Sequence, residues 1–376
     1  MNDEPAEADR HTESDARGAT RDGTDTPEHV VAAAEAGAVE GTILVGPDFE
    51  PTVGRVVVGD EGRIEAVEAD DSVDPTSVVL PTFVNAHTHL GDSIAKEAGS
   101  REMSLDELVA PPDGLKHRLL RAADREEMVG AMRRSLRYML AGGTTGFVEF
   151  REGGVEGVDR IEEAMAGLGL DGVVLGRETE DAMHAANGFG ASGARDGDFD
   201  AVREATRAAN KTFGIHAGER DPDDLTPAMD LDPEFLVHVV HPEPGHLDRI
   251  ESEGFPVVVC PRSNLVTGVG VPPLRDLLDR TTVALGTDNV MLNSPSMFRE
   301  MEFTAKLTDT SAAEVLRMAT LNGAELAGLN CGSVEPGRDA NLLVLDGDSD
   351  NLAGAQDLVR AVVRRAGHAD VERVYR

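Results

Sequence analysis

The chain has 376 residues, enough for a barrel of ~250 residues plus an accessory layer. Seventy acidic residues face 35 basic ones for a formal net charge of −35, and lysine occurs only at Lys96, Lys116, Lys211 and Lys306. That balance argues against nucleic acid or an anionic membrane as a partner, and fits a surface that stays soluble in concentrated salt, hence a halophilic cytoplasm.

Cys260 and Cys331 make no disulfide framework and have no spacing partners for a zinc knuckle. No apolar run of ~20 residues is present, and the N-terminus carries acids where a signal peptide carries positive charge. A soluble, cytoplasmic protein is expected. The absence of tryptophan removes stacking platforms for bases.

Residues 1–36 open with a stretch rich in Asp, Glu, Thr, Ala and Gly, and read as a disordered acidic tail. From residue 37 short strands follow over 39–45, 54–59 and 63–67. The run Val78-Val79-Leu80-Pro81-Thr82-Phe83-Val84-Asn85-Ala86 then reads as a buried strand ending in His87-Thr88-His89. Residues i and i+2 of a strand point the same way, so His87 and His89 can set two imidazoles side by side. Neutral imidazole is the commonest protein metal ligand.

Beyond His89, helical patterns alternate with short apolar runs. A helix over 125–140 leads into a strand at 146–150. Further strands are expected at 172–176, 187–191, 212–215, 235–238, 256–260 and 283–286. Eight strands between 79 and 286 with interleaved helices predict an α/β fold, a (β/α)8 TIM barrel over 79–327. After a helix at 312–327 come strands at 342–345, 359–364 and 371–375. Neither terminal half closes a core alone, so 37–78 and 328–376 are expected to join in a composite β-sandwich.

Functional groups of such a barrel sit at the C-terminal ends of its strands. Those ends carry His87 and His89, His216 with Glu219 three residues on, His238, and Asp288. Three imidazoles and one carboxylate make a four-donor metal site with room for water. His184, His241 and His246 read as structural, and His117 is undecided.

With these motifs the chain resembles the amidohydrolase superfamily, in the branch of chlorohydrolases and of adenosine-type, S-adenosylhomocysteine-type and cytosine-type deaminases. The matching segments are Val84-Asn85-Ala86-His87-Thr88-His89, His216-Ala217-Gly218-Glu219, Leu236-Val237-His238-Val239-Val240-His241, Cys260-Pro261-Arg262-Ser263-Asn264, Gly286-Thr287-Asp288 and Val334-Glu335-Pro336-Gly337-Arg338-Asp339-Ala340-Asn341. One departure is Thr82, where the family usually has glycine. The resemblance implies that His87, His89, His216 and Asp288 hold one divalent metal ion, Zn2+ by default and Fe2+ as the other choice. It implies Glu219 as proton shuttle to a ring nitrogen, His238 as orienter of the attacking hydroxide or stabiliser of the developing charge, and Asp288 as proton acceptor as well as ligand. Two-metal relatives usually bridge their ions with a carboxylated lysine on strand four or with another carboxylate; no lysine lies between Lys116 and Lys211, so one metal is the expectation.

Substrate contacts are expected from Glu149, Arg151, Arg177, Arg262, Ser263 and Asn264, which close or follow other strands. The expected activity is deamination of a nitrogen heterocycle, a purine nucleoside or adenosyl compound. The alternatives are hydrolysis of a cyclic amide or chloro-triazine, or a non-catalytic metal-binding barrel. The partner is a small molecule, and a homo-oligomer is left open.

Overall fold

The computed structural model describes residues 31–32, 36–100 and 102–376. Most of the acidic stretch over 1–36 therefore lies outside the described residues. Within it, Val31–Ala32 forms a short strand paired parallel with Val374 and Tyr375.

Eight strand positions run parallel in one sheet: Phe83–His89, Thr144–Arg151, Asp171–Gly176, Gly188–Ala191, Thr212–Ala217, Phe235–His238, Val257–Val259, and Val283–Leu285 continued by Asp288–Asn289. The last strand closes the circle. Its first part pairs with Val257–Val259 and its second with Phe83–His89. Gly286 donates to the Val259 carbonyl at 3.0 Å, and Thr287 to the His87 carbonyl at 3.1 Å. A Cβ on Gly286 would stand 2.6 Å from the His87 Cβ, so only glycine lets strand eight come this close to strand one. The result is the expected (β/α)8 barrel.

Ala86, Val148, Phe150, Leu175, Phe235, Val237, Val258, Cys260 and Ala284 fill the barrel interior. A larger apolar layer lies between the strands and the surrounding helices. Helix starts carry the caps their sequences offer: Asp124 for Arg125–Ala141, and a Ser311–Glu314 capping box for Ala312–Ala319.

The N- and C-terminal strands join in one seven-stranded mixed sheet, in which Ser77–Pro81 lies between Leu342–Asp346 and Gly37–Val45. The sheet curls, so that Val56, Val58 and Ile64 share a core with Val79, Val334 and Leu342.

Three local expectations are corrected. The run 78–90 is two strands, because Pro81-Thr82 ends pairing in the mixed sheet before the barrel strand begins at Phe83. The helix over 312–327 is two helices, broken at Thr320, whose φ of −128° and ψ of −91° are not helical. Residues 359–364 form part of the helix Leu358–Arg364, not a strand. Asp357 caps that helix by accepting from the Arg360 N–H at 2.9 Å.

Candidate metal centre and active site

At the C-terminal mouth of the barrel four side-chain atoms converge. His87 Nε2 lies 3.2 Å from His216 Nε2 and 3.4 Å from Asp288 Oδ1. His89 Nε2 lies 3.4 Å from His216 Nε2 and 3.6 Å from Asp288 Oδ1. Donors bound at ~2.1 Å around one ion stand roughly 3.4 Å apart, and the side chains that could hold an ion form two triplets sharing His87: His87, His89 and Asp288, and His87, His216 and His238.

The opposite ring nitrogens fix the tautomers. His216 Nδ1 faces the Ala191 carbonyl at 2.8 Å, and His89 Nδ1 faces the Phe150 carbonyl at 3.1 Å and Glu152 Oε1 at 2.8 Å. Both Nδ1 atoms meet only acceptors and carry the protons, which leaves lone pairs on the converging Nε2 atoms. Lone pairs turned toward one another need an electrophile between them. Burial keeps the rings neutral, the form that ligates: it lowers the pKa of His87, takes His89 down to about 3, and holds His216 well below the usual range. The residues present therefore fit a divalent metal ion.

Strain marks the same mouth. His238 and Asp288 have φ of 79° and 57°, in the left-handed region that side chains rarely adopt. Phe235 and Val237 point into the barrel, so alternation alone would turn His238 toward the helices. Its unusual backbone accompanies a ring that instead lies 5.4 Å, centre to centre, from the His216 ring. Asn264 Nδ2 stands 3.1 Å from His238 Nδ1, and Glu219 Oε2 stands 3.6 Å from His238 Nε2. The Glu219 side chain is 19% exposed, and burial raises its pKa despite the nearby His238. Ser263 Oγ donates to Asp288 Oδ2 at 2.5 Å.

The expected substrate contacts fare differently. Arg177 lines the cavity over the centre. Glu149 and Arg151 do not. They alternate with the inward-facing Val148 and Phe150 and so point into the helix layer. Glu149 accepts there from the Leu90 N–H and the Thr88 hydroxyl, both at 2.8 Å. Arg151 is 1% exposed beside the sulfurs of Met128 and Met132. Arg262 is held by Glu300 at 2.8 Å and by the Ser294 carbonyl at 2.6 Å. Ser263 and Asn264 stand behind Asp288 and His238 rather than in the cavity wall.

Sequence reasoning missed Glu152 and Lys116. Glu152 Oε1 collects His89 Nδ1 at 2.8 Å, Lys116 Nζ at 2.8 Å and Arg177 Nη1 at 3.0 Å. Lys116 Nζ also donates to Asn289 Oδ1 at 2.8 Å. Alternation along 148–152 was the available signal for Glu152, which falls on the inward parity. For Lys116 the signal was one of only four lysines lying buried in a helix. Across the mouth, Arg220 pairs with Asp106 at 2.7 Å.

Two segments, residues 78–220 and 202–374, match the model of the amidohydrolase family. A protein of Methanothermobacter thermautotrophicus is 34% identical over 348 residues, covering 81% of this chain and 90% of its own. The 5-methylthioadenosine/S-adenosylhomocysteine deaminase of Halobacterium salinarum is 29% identical over 394 residues, 89% of each chain. Among solved structures, the zinc complex of atrazine chlorohydrolase from Arthrobacter aurescens superposes with a TM-score of 0.73 at 18% identity, covering 90% of this chain and 96% of that one. This chain belongs to the amidohydrolase family and is a hydrolase acting on carbon–nitrogen bonds.

Proposed function

We propose that the protein is an aminohydrolase that replaces the amino group of a nitrogen heterocycle with oxygen, acting on a purine nucleoside or adenosyl compound. The observation that carries this reading is Glu219. It is a largely buried carboxyl with a raised pKa, 3.6 Å from His238 Nε2, at the edge of the three-imidazole, one-carboxylate cluster. Burial that favours the neutral carboxyl suits Glu219 to give a proton to a ring nitrogen.

His87, His89, His216 and Asp288 would hold one divalent ion, zinc first and iron(II) second. When bound, the ion supplies hydroxide at neutral pH by lowering the pKa of water to ~7. Glu219 delivers its proton to the ring nitrogen beside the amino-bearing carbon, which draws electron density away from that carbon. His238 orients the incoming oxygen and balances the charge that develops on it. Asp288 accepts the proton shed by that oxygen and passes it to the departing nitrogen, and the proton that water loses in becoming hydroxide restores Glu219, so that over the cycle one water is consumed and one ammonia released. The name of the Halobacterium salinarum relative supports the substrate class.

The test is ammonia release from adenosine, 5′-deoxyadenosine, S-adenosylhomocysteine, guanine and cytosine by the zinc-loaded protein. Turnover of a purine nucleoside or adenosyl compound is the expected outcome. No ammonia from any of them, with turnover of a cyclic amide or a chloro-triazine, would favour the second reading. The likeness to atrazine chlorohydrolase keeps that reading in view. The net charge of −35 supports a cytoplasm rich in salt and no nucleic-acid partner.

A further inference from the structure

Six large apolar side chains are exposed among the described residues, and four of them lie on two neighbouring helices. Leu265 and Val266 belong to Pro261–Thr267, Phe303 and Leu307 to Met297–Leu307, and all four are between 41% and 54% exposed. Helix geometry gathers them on one face. Glu300 reaches Arg262 at 2.8 Å and so marks the side of its helix that meets the other. Phe303 and Leu307 stand three and seven residues further on, along the same stripe. Leu265 and Val266 form the turn that follows Arg262. A contiguous apolar patch of this kind marks an interaction site.

Charge says what covers it. From Ser263 to Leu274 no residue is charged, in a chain whose net charge is −35. Arg262 is neutralised by Glu300. On the exposed side of Met297–Leu307, Glu302 pairs with Lys306 one turn away, and Arg299 adds a positive charge. A basic partner would be drawn to the acidic remainder of the surface instead, and an acidic one is repelled by it. Two copies of the chain repel each other over that remainder too, but at this face they meet without excess negative charge. The face is also complementary to itself. Placed antiparallel about a two-fold axis near residue 304, two such helices set Glu302 against the partner's Lys306, and the reverse.

We propose that this face docks a second copy of the chain in that arrangement, with Leu265, Val266, Phe303 and Leu307 as the dry centre of the contact. Sedimentation equilibrium of the zinc-loaded protein in 2 M KCl should show a dimer. Phe303→Asp places a charge at the centre and should raise the dissociation constant at least about thirtyfold, with zinc content unchanged. Lys306→Glu brings carboxylates together across the axis and Glu302→Lys brings ammonium groups together, so each should weaken its own dimer several-fold at the lowest KCl that keeps the protein folded. Mixed in equal amounts there, the two variants should form the heterodimer in preference to either homodimer, because only then does every position 302 face an opposite charge at 306. The like charges within each variant's own helix are unchanged by mixing, so the preference reads the contact between chains.

A monomeric parent would overturn the proposal. So would a dimer that Phe303→Asp leaves intact, or a mixture with no preference for the heterodimer. Should Phe303→Asp lose its zinc, the mixing result decides by itself. None of these outcomes bears on the aminohydrolase reading, which turnover tests.

Discussion

Glu152 Oε1 lies 2.8 Å from His89 Nδ1 and 2.8 Å from Lys116 Nζ, so one carboxylate oxygen ties an imidazole of strand one to a helix outside the barrel. Partners of this kind fix the tautomer and orientation of a ligating histidine, and their loss typically lowers metal affinity ~10–100-fold. Glu152→Ala should therefore bind zinc at least about tenfold more weakly than the parent, measured by competition with a chromogenic chelator. Parental affinity in a folded Glu152→Ala protein would show that His89 needs no such anchor.

Glu149 gives a prediction in pH. Burial pushes its carboxyl up to about 7 against the pull of Arg151. The ordinary value is 4.5, so the folded pKa is the higher one. The stabilising contribution is complete below the unfolded value and is lost as pH rises through about 7. Within that window each pH unit removes up to about 1.4 kcal/mol. The drop in melting temperature from pH 5 to pH 8 should accordingly be smaller in Glu149→Gln than in the parent. Parallel curves for the two proteins would contradict the assignment.

Salt is the third lever. A net charge of −35 on one chain destabilises the compact state by self-repulsion, which dissolved salt screens. The melting temperature should rise by several degrees or more between 0.1 M and 2 M KCl, as followed by circular dichroism. A melting temperature independent of KCl would remove the argument for a saline cytoplasm.

The barrel and its converging histidines were legible because strand alternation and strand-end position are local properties. His87, His89, His216 and Asp288 each follow an apolar run, and the fold brings those ends to one mouth. The substrate side was less legible, for a reason visible at 148–152. Treating all charges after a strand as mouth residues selected Glu149 and Arg151, which the two-residue period sends outward, and passed over Glu152, which it sends inward. Lys116 was hidden differently, since its role depends on a helix packing against a loop thirty-six residues away in sequence. The helix Leu358–Arg364 was misread because a short apolar run suits either element. The cap at Asp357 was the deciding sign.

The central claim is that Glu219 carries the proton and does not hold the metal. Glu219→Gln cannot carry that proton, and general acid–base catalysis contributes roughly 10²–10⁴ in rate. The decisive measurement is kcat together with zinc content for Glu219→Gln and His216→Ala, side by side, on whichever substrate of the panel releases ammonia. Glu219→Gln should lose at least ~10²-fold in kcat with its zinc intact, while His216→Ala loses zinc and turnover together. Turnover within a few-fold of the parent in Glu219→Gln, or loss of its zinc, would contradict the account.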